Sequence, residues 1–432
     1  MTDTIFALAT PPGRSAIAIL RLSGPGARAA LADLGVSAIR PRQASLRTLR
    51  HDGERIDQAL VLWFPGPDSY TGEDCAELHL HGGRAVVEAA GAALIALGLR
   101  PAEPGEFTRR AFENGRMDLA QAEAVADLID AETTAQASQA LGQLDGALSQ
   151  TYAGFRRDLL TALALVEAEI DFPDEDVPDH LAASAGPVLD GLIIDLKAAL
   201  ADGDRGRRVR EGYRIVLIGE TNAGKSALFN ALVVREAAIV TAIAGTTRDV
   251  LDAEMIIGGY AVTLSDTAGL RASDDPIEAE GVRRARARAE AADLRLWVRA
   301  PGDPDGDAEA FMRPDDLIVW TKADLARQPQ PGGLRVSSLT GAGMADLHDA
   351  LAERLAADLS GADFPAITRE RHLRRLSEAL SAVEAGRVRL RDAPELAGDD
   401  LRRAAEALAR VTGAIGVEDV LGEVFSTFCI GK

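Results

Sequence analysis

A glycine, four residues and then Gly-Lys-Ser, running straight out of an unbroken apolar stretch, leave a chain few folds to choose from. Arg214-Ile215-Val216-Leu217-Ile218 has the continuity of a strand buried on both faces. Gly219-Glu220-Thr221-Asn222-Ala223-Gly224-Lys225-Ser226 comes next without a gap, and Ala227 continues into a helical pattern. With a strand before it and a helix after it, this GxxxxGK[ST] spacing is a phosphate-binding loop. Its glycines let backbone N–H groups converge on phosphate oxygens, and the helix start adds positive potential. Lys225 reaches the β- and γ-phosphates and Ser226 offers a hydroxyl to Mg²⁺. The rhythm of strand, glycine turn, helix and strand continues to about Leu359, as in a parallel α/β sheet.

Three more motifs lie downstream. Asp266-Thr267-Ala268-Gly269 follows an apolar run and sets a carboxylate near the metal, with a glycine amide near the γ-phosphate. Thr321-Lys322-Ala323-Asp324 follows Leu317 to Trp320. Asp324 can accept from the N1–H and the 2-amino group of guanine; adenine offers neither donor, so the nucleotide is GTP. Ser337-Ser338-Leu339 closes over the base from the next loop. Where Ras-type enzymes hold a water-orienting glutamine, Leu270 stands, which cannot hydrogen-bond water. Candidates for the missing function are Thr241-Ala242-Ile243-Ala244-Gly245-Thr246-Thr247-Arg248-Asp249 and Glu278. By chemistry alone, Glu278 is equally a surface carboxylate.

Around this unit the pattern changes. Residues 1–116 mix short β-branched runs with Gly/Pro punctuation, an α+β domain, and residues 117–210 are Ala- and Leu-rich with helical periodicity. Residues 211–362 form the α/β unit and 363–432 return to helix, so the α/β unit is inserted into a helical domain. In the first domain Glu77, His79 and His81 alternate with Leu78 and Leu80, putting three titratable groups on one strand face. Such a face is a polar cleft or, less commonly, a metal site. The chain ends in Phe428-Cys429-Ile430-Gly431-Lys432, although it has only four lysines (Lys197, Lys225, Lys322 and Lys432) and 2 cysteines. Cys429 is a nucleophile or acid, or simply a packed thiol; Cys75, in an apolar strand, belongs to the core.

The net charge of −20 argues against autonomous binding to DNA or RNA, since phosphate contacts need a basic surface. The arginine-rich runs at 205–214, 283–288 and 369–375 read as solvated helix faces, so a polyanionic substrate needs a partner's surface too. No apolar run reaches membrane-span length, the start lacks a signal-peptide pattern, and two distant cysteines suit a reducing compartment. A cytoplasmic protein is expected, with no membrane attachment.

TPPGRSAIAILRLSGP, SYTGEDCAELHLHGG, PGEFTRRAFENGRMDLAQAEAVADLIDA, IDFPDEDVP, GETNAGKS, AGTTRD, DTAGLR and FCIGK together resemble the MnmE (TrmE) tRNA-modification GTPases over essentially the whole length. The resemblance implies an N-terminal tetrahydrofolate-binding and dimerising domain, an all-α domain, and an inserted Ras-like P-loop GTPase domain. It implies a K⁺ ion in place of an arginine finger, held by Asn222, Thr241, Ile243 and Thr246. It also implies Thr247 beside Ser226 on Mg²⁺, and Glu278 as the residue that positions water. Arg21, Glu77, Arg116 and Lys432 match the ligand positions for 5-formyl- or 5,10-methylene-tetrahydrofolate. The implied activity is GTP hydrolysis driving modification at C5 of a tRNA wobble uridine, by a homodimer joined in a heterotetramer to an FAD-dependent MnmG-type protein. Thr321 departs from the family's usual asparagine, a change expected to keep guanine specificity through Asp324 with affinity the same or reduced. A regulatory GTPase switch in ribosome assembly, with a non-folate dimerisation domain, is the rival reading; the polar strand face and the tail argue against it.

Overall fold

The computed structural model describes residues 3–171, 181–237, 252–266, 286–303, 312–325, 332–361, 367–413, 425, 428 and 431. The chain divides into two compact units, one of Met1–Ala126, Gln143–Leu189 and Ser381–Lys432, the other of Asp127–Gly142 and Asp190–Leu380.

The first unit holds a six-stranded sheet of β1 (Ile5–Leu8), β2 (Ile17–Ser23), β3 (Ser45–His51), β4 (Glu54–Phe64), β5 (Cys75–His81) and β6 (Arg100–Pro101). Their order is β3-β4-β5-β2-β1-β6, antiparallel throughout except where β6 runs parallel to β1. Period-two alternation decides the faces. Leu20 and Leu22 of β2 and Leu78 and Leu80 of β5 join one core with Leu31 of α1 (Ala27–Asp33) and Leu94 of α2 (Arg84–Ala96). The intervening residues face the other way, and Arg21 lies directly across from Glu77 in the β2–β5 register.

Behind β1 a buried ion network clamps α3 (Glu106–Glu113) to the sheet. Arg110, 1% exposed, meets Glu106 at 2.9 Å, Glu73 at 3.0 Å and Asp3 at 3.0 Å, while Arg100 meets Glu106 at 2.6 Å. Burial pushes the Glu106 carboxyl up, but hydrogen bonds from Arg100, the Glu103 backbone and Arg110 outweigh it and hold the pKa down to about 2. A depressed carboxylate pKa stabilises the fold above its unfolded value and loses that contribution as pH falls towards the folded one. Urea melts are therefore expected to show wild type losing stability between pH 5 and pH 2, by roughly 3 kcal/mol at most from this group. Glu106→Gln starts lower at pH 7 and shows less of this slope; parallel curves would remove the network from the account of acid sensitivity.

The helical part of this unit rests on α6 (Ala147–Asp171), whose stripe Leu148, Tyr152, Phe155, Leu159, Ala162 and Val166 packs with the helix Pro394–Thr412. In the tail, Phe425 and Phe428 stack at 5.4 Å and enter a core with Leu119 and Ala122. Gly431 (φ +100°) passes so near the end of β1 that a Cβ would lie 2.3 Å from the Leu8 carbonyl oxygen. The glycine of FCIGK is thus required by a close backbone approach to the sheet.

The second unit is a sheet of β7 (Tyr213–Ile218), β8 (Asp252–Ile257), β9 (Tyr260–Asp266), β10 (Leu294–Arg299), β11 (Leu317–Trp320) and β12 (Leu334–Arg335), ordered β12-β11-β10-β7-β9-β8 and parallel apart from β8. The unbroken apolar run of β7 follows from burial on both faces. Ile215 and Leu217 meet Leu228 and Leu232 of α8 (Lys225–Ala237) and the stripe Leu347, Leu351 and Leu355 of the helix Met344–Leu359; Val216 and Ile218 meet Ala289 and Trp297.

Candidate functional site

At the carboxyl end of β7 the chain turns through Gly219, where a Cβ would sit 2.1 Å from the Val298 carbonyl oxygen on β10. No side chain fits there, so the loop is pinned against the neighbouring strand. Lys225, the first residue of α8, folds back over its own loop and donates to the Gly219 and Glu220 carbonyls, both at 2.9 Å. Burial pushes the Lys225 ammonium down from its ordinary value, opposed by the charges of Asp266, Glu220 and Asp303. The exposed Ser226 donates its hydroxyl to Asp266 Oδ2 at 2.7 Å, and Asp266 Oδ1 is buried with no hydrogen-bond partner among the described residues. A serine hydroxyl beside a carboxylate with one unused oxygen is a hard-oxygen donor pair that fits Mg²⁺. Ala227 is exposed on α8.

The base-recognition motif is tied directly to this loop. Thr321, 2% exposed, donates its hydroxyl to the Ala223 carbonyl, with the Arg299 carbonyl also within 3.2 Å, and its side chain packs on Gly224. Lys322 donates to the Asn222 carbonyl at 2.8 Å. The threonine that departs from the family pattern therefore still bridges the two motifs. Ala323 donates to the Val336 carbonyl at 3.1 Å, and the exposed Asp324 accepts from Ser337 Oγ at 2.5 Å. Ser337 is fully buried and holds the Asp324 carboxylate; Ser338 is half-buried and Leu339 is 85% exposed. Thr241, Ala242, Ile243, Ala244, Gly245, Thr246, Thr247, Thr267, Ala268, Gly269, Leu270 and Glu278 lie outside the described residues, as do Cys429 and Lys432 of the tail.

The first unit carries a separate cavity of about 250 Å³, and Arg21, Glu77 and Arg116 all line it. Arg21 grips Glu77 Oε1 through two nitrogens at 3.1 and 3.0 Å, with Tyr70 and Phe107 rings 5.4 and 5.9 Å from its guanidinium. His79 Nε2 lies 3.3 Å from Glu77 Oε2. Each carboxylate oxygen can accept more than one bond, so Glu77 keeps capacity for a ligand's donors. His81 leaves this constellation and pairs with Asp57 at 2.8 Å. Cys75 is buried in the cavity wall, 3.2 Å from Thr71 Oγ1. Reading by residue type misses Tyr70, Phe64 and Arg42, which share the cavity, and Asp303 near Lys225. The SYTGED stretch is the available signal for Tyr70; nothing local marks the others.

These features define a Ras-like P-loop protein built for a guanine nucleotide, with an α+β domain that carries a cavity of its own. The family model described as "MnmE helical domain" matches residues 119–429, and that described as "GTP-binding protein TrmE N-terminus" matches residues 4–116. Curated relatives include the tRNA modification GTPase MnmE of Caulobacter vibrioides, 56% identical over 447 residues, and that of Phenylobacterium zucineum, 55% identical over 452 residues, each covering 100% of both chains. Among solved structures, the G domain of the T. maritima FeoB iron transporter matches 33% of this chain and 98% of its own, at 22% identity and a TM-score of 0.26. The chain belongs to the MnmE family.

Proposed function

We propose that this chain is a K⁺-dependent GTP hydrolase that acts with an FAD-dependent MnmG-type partner to build an aminomethyl or carboxymethylaminomethyl group on C5 of the wobble uridine in certain tRNAs. It is an enzyme, a GTPase. The observation that carries the wider reading is the coexistence in one chain of the linked loop and base motifs, joined through Thr321–Ala223, and a separate arginine–carboxylate pocket in the first unit. A simple nucleotide switch has no use for the second. The proposed domains are 1–116 for folate and dimerisation, 117–210 and 363–432 for the helical domain, and 211–362 for the GTPase.

In hydrolysis Lys225 swings from its carbonyl partners to the β- and γ-phosphate oxygens, exchanging neutral acceptors for charged ones. Ser226 and Asp266, with Thr247, would hold Mg²⁺, which when bound would neutralise phosphate charge. Asn222, Thr241, Ile243 and Thr246 would hold K⁺, whose charge would stand in for an arginine finger. Glu278 orients the attacking water, a role Leu270 cannot fill. In the first unit Arg21, Glu77, Arg116 and Lys432 take a 5-formyl- or 5,10-methylene-tetrahydrofolate as the one-carbon source, with Cys429 as a candidate acid or nucleophile. Gly431 against Leu8 supports this, since Leu8 is next in β1 to Ala7, the register partner of Arg21. The charge of −20 fits a homodimer that relies on its partner in the heterotetramer for tRNA-binding surface. Among the described residues no helix is long and apolar enough to cross a membrane, in keeping with action in the cytoplasm.

GTP hydrolysis by the purified chain is expected to run at least about tenfold faster in KCl than in NaCl at equal ionic strength, an advantage of at least about 1.4 kcal/mol in the barrier. Asn222→Ala should erase the difference. Equal rates in both salts would remove the potassium assignment.

A further inference from the structure

The cavity in the first unit contains three guanidinium groups, and they are not equivalent. Arg21 is committed: it is held on Glu77 and flanked by Tyr70 and Phe107. It fixes the carboxylate that faces the cavity and is itself largely neutralised. Arg116 reaches only the edge of ion-pair distance, 4.0 Å from the exposed Asp68. Arg42 packs its guanidinium 5.8 Å from the Phe64 ring and donates to the Asp68 backbone carbonyl, with no carboxylate in ion-pair distance among the described residues. Three cations against the carboxylates of Glu77 and Asp68 leave the positive excess at the Arg42 and Arg116 side.

The backbone at Arg42 adds an independent observation. Arg42 sits at φ +57°, in the left-handed region that costs an ordinary residue about 1 kcal/mol or more, and its N–H is held by the Trp63 carbonyl at 2.8 Å. Glycine would occupy this position without strain. The strained turn presents a guanidinium, stacked on an aromatic wall, at the rim of a cavity.

We propose that Arg42 is a further ligand-binding residue: with Arg116 it captures the carboxylate tail of the cavity's ligand, while the Arg21-fixed Glu77 pairs with the polar edge of its ring. This rests on the folate reading above and deepens it, placing the glutamyl end at Arg42 and Arg116 and the pterin end at Glu77. Planar guanidinium forks suit carboxylates, and a longer glutamyl chain offers more of them.

The test is calorimetric titration of the full chain with 5-formyl-tetrahydrofolate and with tetrahydropterin, which has the ring but no glutamate. Arg42→Gly is the variant, because it removes the guanidinium at a position where glycine is at ease. Affinity for the folate is expected to fall roughly tenfold to a hundredfold, the worth of a charge-assisted hydrogen bond, and the loss should shrink at high salt. Affinity for tetrahydropterin should stay as in wild type, which also shows that the pocket is intact. Equal folate affinity in wild type and variant overturns the Arg42 assignment alone, and so does a parallel loss for both ligands. Failure of wild type to bind the folate at all overturns the folate reading, and this assignment with it.

Discussion

Asp324→Asn is expected to lower affinity for GTP about 10³-fold while raising it for xanthosine triphosphate, so that the preference between the two bases reverses. Guanine presents two adjacent donors, N1–H and the 2-amino group, and a carboxylate accepts from both. An asparagine replaces one acceptor with an NH₂ donor, which meets a donor of guanine and leaves both unsatisfied; xanthine carries a carbonyl where guanine carries the amino group. Sites built around such polar pairs reject the mismatched partner by about 10⁴-fold or more because buried groups lose their bonds, and the exposure of Asp324 moderates that figure. Ser337 makes the effect sharper than an exposed carboxylate alone would suggest, since its buried hydroxyl fixes Oδ1 at 2.5 Å and so aims the group. Displacement of a fluorescent guanine nucleotide by GTP and by xanthosine triphosphate reads both affinities. An unchanged ratio would mean that the base is read elsewhere.

The architecture is legible where local pattern and burial coincide. The continuous apolar run Ile215 to Ile218 announces a strand buried on both faces, and GETNAGKS specifies the loop and helix start that come after it. The alternation of Leu78 and Leu80 with Glu77 and His79 places the polar pair on one face, as the sheet confirms. Other relations depend on partners far along the chain. Glu77, taken locally, is free to pair with a ligand through both oxygens, yet Arg21, 56 residues earlier, grips one of them because β2 and β5 are neighbours in register. No spacing rule predicts that pairing, nor that Phe107 comes beside Arg21. His81 has the right period for the same face, but its backbone N–H and ring both find Asp57 of β4. Ser337 has the place of a lid over the base in the motif order; that it is buried and bonded to Asp324 is a relation the motif order does not show. Thr321 is a loss relative to asparagine until the fold reveals the Ala223 carbonyl waiting for its hydroxyl.

Lys225→Met is expected to reduce GTP hydrolysis about 10³-fold without lowering, and with some gain in, the thermal stability of the nucleotide-free chain. The two halves have one origin. Lys225 is 7% exposed, and among the described residues its hydrogen bonds go to neutral carbonyls of its own loop; burial drives its pKa down against the opposing charges of Asp266, Glu220 and Asp303. A base whose folded pKa lies below the unfolded value is charged at a cost in the folded state, and at pH 7 that cost weighs against folding. An unbranched apolar side chain of similar length removes the charge and keeps the packing along α8, a trade of stability against function expected at a working site. The charge is held for the phosphates, where negative charge grows as the bond between the γ-phosphorus and its bridging oxygen breaks, and removal of one such stabilising donor costs about 10²–10³-fold. Single-turnover hydrolysis and melting curves without nucleotide test both halves separately. A variant that melts several degrees lower would make Lys225 a structural clasp of the loop, whereas retained hydrolysis would move transition-state stabilisation to another cation.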